Sequence, residues 1–147
     1  MFVSDNRLST AKAYFFEQLE SQFSGSECKQ MWQVLLEKRF GWQRTEQLLR
    51  SNERVSESDL LFFRSVVKRL QQQEPFQYIV GETLFCGLQL KTDARALIPR
   101  PETEELVALI AQLGSSFSSV IDLCSGSGCI ALALQKEFPN AKVCGLD

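Results

Sequence analysis

From Leu8 to about Gln73 the apolar residues recur every three or four positions. One set is Tyr14, Phe15, Leu19 and Phe23; a second is Met31, Val34 and Leu35, interrupted by Lys38; a third is Leu60, Phe63, Val67 and Leu70. That spacing lays one apolar stripe along each helix and predicts a bundle of about four short helices. The breaks fit. Ser24-Gly25-Ser26 reads as a loop, Gly41 as a helix end, and Ser56 with Asp59 as a capping box with Asp in the acidic place. The polar runs Arg44 to Gln47 and Lys68 to Glu74 read as solvated helix faces. Residues 1–75 are therefore expected to form a helical domain.

At Pro75 the texture changes. FQYIVGETLFCGLQL is rich in aromatic and β-branched residues punctuated by Gly81 and Gly87, which predicts extended segments at Gln77 to Val80 and Leu84 to Lys91. Residues 76–99 thus read as a β-hairpin or linker between two domains. Pro101 suits the first turn of a helix, where its missing N–H costs nothing, and Glu102, Glu104 and Glu105 favour that positive end. Leu106, Val107, Ile110 and Leu113 are its expected buried stripe. After Gly114 and a serine-rich turn come a strand over Val120 to Cys124, a glycine turn, a helix from about Cys129 to Phe138, and a strand over Ala141 to Leu146. Such a βαβ unit has parallel strands and a right-handed crossover. The fold class is α/β: a helical bundle, a hairpin connector, and over residues 100–147 the start of a Rossmann-like domain.

Composition narrows the chemistry. With no histidine in 147 residues, the commonest general base and most zinc sites are excluded. Five cysteines without a CxxC pair suggest neither a metal knuckle nor a disulfide framework, and each is expected to be a reduced, buried, small apolar residue. No metal site is expected. A net charge of -2 gives no long-range attraction for nucleic acid, so none is expected as a direct partner. No apolar run approaches a membrane span, and the N-terminal MFVSDNRLSTAK lacks a secretory core, which makes the cytoplasm the simplest location.

The stretch IDLCSGSGCIALAL carries the most specific signal. A glycine-rich turn between strand and helix admits a ligand close to the backbone, and helix N-terminal N–H groups favour polar or negative atoms. The letters GSGCIA fit the dinucleotide pattern, and Asp147 follows Gly128 by 19 positions, near the spacing of a ribose-binding acid. A nicotinamide dinucleotide is one reading. A turn without a ligand is another. Asp122, inside the first strand, favours a third, because a carboxylate at the crevice would meet an ammonium group. The frame Asp122-x-Cys124-x-Gly126-x-Gly128 resembles motif I of class I S-adenosylmethionine methyltransferases. Cys124 replaces its first glycine, a harmless change where its φ is ordinary.

EPFQYIVGETLFCGLQL, then LIPRPETEELV, then IDLCSGSGCIALAL and a strand ending at Asp147 together resemble the HemK/PrmC family of release factor glutamine methyltransferases. The resemblance runs from about Glu74 onward. It implies methyl transfer from S-adenosylmethionine to the side-chain amide nitrogen of the glutamine in the Gly-Gly-Gln motif of peptide chain release factors, which would be the protein partner. It further implies cofactor contacts from Cys124, Ser125, Gly126, Ser127 and Gly128, ribose contacts from Asp147, and an amino-acid-side role for Asp122. In that family an Asn-Pro-Pro-Tyr loop holds the target amide. No such tetrapeptide occurs here, so no catalytic residue is assigned within the chain, which is expected to be the front portion of a longer enzyme and inactive by itself. A non-catalytic release-factor-binding module and an NAD-dependent oxidoreductase are the competing functions.

Overall fold

The computed structural model describes residues 5–113 and 117–147, and the turn expected at Gly114 and the following serines lies outside them. The chain divides into two compact units, Met1–Val80 and Gly81–Asp147.

The first unit is helical: α1 (Leu8–Leu19), α2 (Gly25–Phe40), α3 (Arg44–Leu49), α4 (Glu57–Gln71) and the short α5 (Phe76–Val80). Helix α1 packs on α2 and α4. Its core is aromatic. Trp32 lies between Phe15 and Phe63, with ring centroids 5.4 and 4.6 Å away, and both phenylalanines are fully buried.

The stripe on α2 differs from the expected one. Cys28, Met31, Trp32, Leu35 and Leu36 are buried, while Val34 is exposed. At 3.6 residues per turn, 28, 31, 32, 35 and 36 share one face; Val34 lies beyond its edge, and Lys38, two turns after Met31, is exposed at that edge. Gln77 to Val80 is also corrected, from extended to helical. Pro75 starts the turn, its carbonyl accepting from the N–H groups of Tyr78 and Ile79. Phe76, Ile79 and Val80, at spacings of three and four, then pack on the bundle core.

Helix ends follow side-chain chemistry. Ser24 begins α2 as the cap of a complete capping box with Glu27, rather than lying in a loop, and Gly41 ends the helix at φ 72°. Ser56 caps α4, with Asp59 completing the box. Burial pushes the Asp59 carboxyl up, but the Ser56 hydroxyl, Arg39 at 2.7 Å and the Ser56 N–H outweigh it and hold it below its ordinary value. Ser56→Ala is expected to cost about 1 kcal/mol. A depressed carboxyl pKa in the folded state stabilises above the unfolded value, and the contribution is lost as pH falls through the folded one. Urea melts of the wild type and Asp59→Asn should therefore differ most near neutral pH and converge in acid; a gap independent of pH would remove Asp59 as the acid-sensitive group.

The second unit contains a hairpin and one βαβ unit. Strands β1 (Glu82–Phe85) and β2 (Leu88–Lys91) pair antiparallel, with Phe85 opposite Leu88. Cys86 and Gly87 form the two-residue turn at φ 47° and 67°, the positive values of a type I′ hairpin. Two charged side chains hold its tip. The Cys86 N–H donates to Glu104 Oε1 at 2.6 Å, and Lys136 Nζ donates to the Cys86 carbonyl at 2.8 Å. Glu104 lies on α6 (Pro101–Gln112) and Lys136 on α7 (Cys129–Glu137), so the hairpin ties both helices.

Strand β3 (Ser119–Leu123) runs parallel to β4 (Lys142–Leu146), and α7 between them covers one face. Phe85, Val107, Cys129, Ala133 and Leu134 form the core. Of the stripe expected on α6, Val107 is buried and Ile110 is partly buried, whereas Leu106 and Leu113 are exposed. Packing against α7 covers only one narrow side of that helix.

Candidate functional site at the glycine turn

The turn between β3 and α7 is built from alternating left-handed residues. Cys124, Gly126 and Gly128 have φ 59°, 51° and 72°. That alternation explains why the pattern wants a glycine at every second position, since L side chains strain there. Cys124 does not have the ordinary φ under which its replacement of glycine would be harmless. Its Cβ meets the strain a glycine avoids, roughly 1–2 kcal/mol, partly offset by the lower entropy of a non-glycine unfolded chain. Cys124→Gly is thus expected to stabilise the second unit by roughly 0.5–1 kcal/mol and Cys124→Val to destabilise it. Denaturant melts followed on this unit check both signs.

The backbone of the turn is pinned at several points. The Ser125 N–H donates to the Leu146 carbonyl at 3.0 Å, extending the parallel ladder one step past β3, and the Gly128 N–H closes onto the Ser125 carbonyl at 2.8 Å. Ser127 is exposed at the tip.

Both carboxylates singled out in the sequence come to this turn. Asp122 Oδ2 accepts from the Ala131 N–H in the first turn of α7 at 3.2 Å. Gly128, the residue before the helix, supplies no side-chain cap, so a carboxylate from the neighbouring strand takes that place and complements the helix dipole. Asp147 Oδ1 accepts from the Gly126 N–H at 3.1 Å. One acid therefore holds the helix start and the other the middle of the loop.

Sequence reading missed Gly145. It lies opposite Asp122 in the ladder, and a Cβ built there would come within 3.0 Å of Ser125 Oγ and 3.1 Å of Ser125 Cβ. The absence of a side chain lets the turn settle onto β4. A glycine inside a strand is itself the signal of such a close approach. By contrast, Cβ atoms at Gly126 or Gly128 meet nothing within 4 Å. The space above the turn is open, and φ alone demands glycine at those two places.

The residues present fit an adenosyl cofactor with a cationic end. Gly126 and Gly128 leave the backbone approachable, Asp147 offers a carboxylate for hydroxyl donors, and Asp122 offers a negative charge beside the helix start. The cysteines divide. Cys28 and Cys129 are buried as expected, Cys86 is half-buried, and Cys124 and Cys144 are exposed, contrary to the expectation of burial. Cys144 alternates onto the face of β4 away from α7, and Cys124 sits exposed at the start of the turn. Among the described residues no cluster suits a metal ion, and no helix is long and apolar enough to cross a membrane.

Residues 10–81 match the PrmC N-terminal domain. A release factor glutamine methyltransferase of Flavobacterium psychrophilum is 37% identical over 141 residues, covering 92% of this chain and 50% of the relative. Proteins of the same name from Streptococcus pneumoniae and Bacteroides thetaiotaomicron are 45% and 47% identical over 94 and 79 residues, covering 63% and 54% of this chain and 34% and 28% of theirs. The chain spans half the length, or less, of these relatives.

Proposed function

We propose that this chain, which belongs to the HemK/PrmC family of release factor glutamine methyltransferases, holds S-adenosylmethionine at the turn from Cys124 to Gly128 and serves methylation of a release factor glutamine. The observation that carries the proposal is the set of three left-handed positions, 124, 126 and 128, between two carboxylates that both bond the turn or its helix. The cofactor supplies a methyl group already activated by its sulfonium. Asp147, fixed on the Gly126 N–H through one oxygen, is placed to accept from ribose hydroxyls through the other. Asp122 sets the negative potential at the start of α7 that suits the cofactor's ammonium end.

An amide nitrogen is a weak nucleophile because its lone pair is delocalised, so the rate rests on positioning of the substrate. No residue here is assigned to that grip. The helical unit serves protein recognition on this reading, the hairpin braces α6 and α7 within the cofactor unit, and the protein works in the cytoplasm.

The test is equilibrium binding of S-adenosylmethionine and of NAD to the full encoded protein, followed by transfer of radiolabelled methyl to a release factor. Preferential binding of S-adenosylmethionine with label on the release factor supports the proposal. Preferential binding of NAD with an absorbance change of the nicotinamide, or binding without transfer, would replace it with the oxidoreductase or the non-catalytic module respectively.

A further inference from the structure

Apart from the glycine turn, the first unit carries a cavity of about 280 Å³ where α1, α2 and α3 meet. Its floor is apolar, formed by the buried faces of Leu8, Trp32 and Leu36. Its rim is cationic: Lys12, Lys29 and Arg44 line it, and no carboxylate does. Elsewhere Arg7, Arg39, Arg50, Arg69 and Arg95 each pair with an acid. Among the described residues none of the three rim cations has a carboxylate partner. Lys12 lies over the Phe16 ring, and Arg44 donates only to Gln33 Oε1 at 3.3 Å.

Helix α3 adds a second observation. It has six residues and buries none of them, so packing does not account for it. Polar clips hold it instead: the Gln43 N–H donating to Glu46 Oε2 at 2.9 Å, and Gln47 Nε2 donating to the carbonyls of Gln33 and Trp42 at 3.1 and 2.9 Å. These clips place Leu48, 76% exposed, on the rim beside Arg44, and leave Leu49 82% exposed next to it. A helix fixed by hydrogen bonds in order to display leucines beside unpaired cations is arranged for a partner.

We propose that this groove docks an acidic, leucine-bearing peptide segment of a partner protein, with carboxylates meeting Lys12, Lys29 and Arg44 and an aliphatic side chain entering between Leu48 and Leu36. Protein is favoured over nucleic acid. Trp32, the one aromatic ring in the lining, is 4% exposed and offers no stacking face to a base, and the chain as a whole is acidic. The inference stands independently of the cofactor reading.

A short synthetic peptide with glutamates and leucines at helical spacing is the probe, with glutamine-substituted and lysine-substituted versions and a single-stranded RNA of similar length as comparisons. Amide shifts on titration into the whole chain are expected at 29–36 and 44–51 with the glutamate peptide alone, weakening as salt rises. Lys29→Glu with Arg44→Glu should lower the affinity at least about tenfold and transfer preference to the lysine peptide. If that pair disturbs the thermal midpoint, Lys12→Gln with Lys29→Gln gives the same direction. Shifts elsewhere, an equal response to the glutamine peptide, or tighter binding of RNA through the same residues would overturn the proposal.

Discussion

Asp147→Ala is expected to weaken S-adenosylmethionine binding roughly ten- to a hundred-fold, the usual range for losing charge-assisted hydrogen bonds to a ligand. Two losses combine. The carboxylate that would face the ribose disappears, and so does the acceptor on the Gly126 N–H, which lies at 3.1 Å and helps set the loop. Asp122→Asn should cost less, because an asparagine oxygen still accepts from the Ala131 N–H and keeps the helix start in place. Only its charge is lost. Titration calorimetry on the full encoded protein distinguishes the two: an unchanged dissociation constant for Asp147→Ala removes that residue from the site, and a larger loss for Asp122→Asn transfers the dominant role to the strand acid.

The difference between these acids shows what position along the chain determines and what it leaves open. Both were found by position, one in the strand before the glycines and one at the end of the next strand, because parallel β-strands deliver their C-terminal ends to one edge of the sheet. Their actual partners were not legible. Nothing in IDLCSGSG states that Asp122 reaches Ala131, a contact made only when α7 folds back over β3. Cys124 shows the complementary failure. A single sequence does not disclose that its own cysteine occupies a left-handed site, although the alternation with Gly126 and Gly128 contained the hint.

The helical unit was legible at the level of elements, since caps such as Ser56 with Asp59 act over three residues and need no tertiary information. Two details depended on packing instead. The residues of α5 favour strands by type, yet Phe76, Ile79 and Val80 are spaced for a helix, and burial against the bundle decided between the two. On α2 the presence of Trp32 in the core drew the buried face away from Val34. In each case a long-range contact overrode a local preference of well under 1 kcal/mol per residue.

Exchange of backbone amides should divide the chain sharply, with those of 120–123 and 142–146 exchanging at least about a hundred-fold faster than those in the centres of α1, α2 and α4. The two units bury very different amounts of apolar surface. In the first, Phe15, Leu19, Leu35, Phe63 and Leu70 are all 1% exposed or less. In the second, strands β3 and β4 form a two-stranded sheet among the described residues. Helix α7 lies on one face, while Ile121, Leu123 and Leu146 on the other are 64%, 70% and 52% exposed. Parallel strands are stable when both faces are covered, and an isolated pair is marginal. A hundred-fold ratio corresponds to a gap of about 2.7 kcal/mol in opening free energy, well within what exposed Ile121, Leu123 and Leu146 forgo at roughly 1.5–3 kcal/mol each. Saturating S-adenosylmethionine should then slow exchange in β3 and β4 in proportion to its affinity and leave α1, α2 and α4 unchanged, because a ligand stabilises only the unit that holds it. Equal protection of the strands and the bundle core in a dilute sample without cofactor would show that the exposed face of Ile121 and Leu123 costs the second unit nothing.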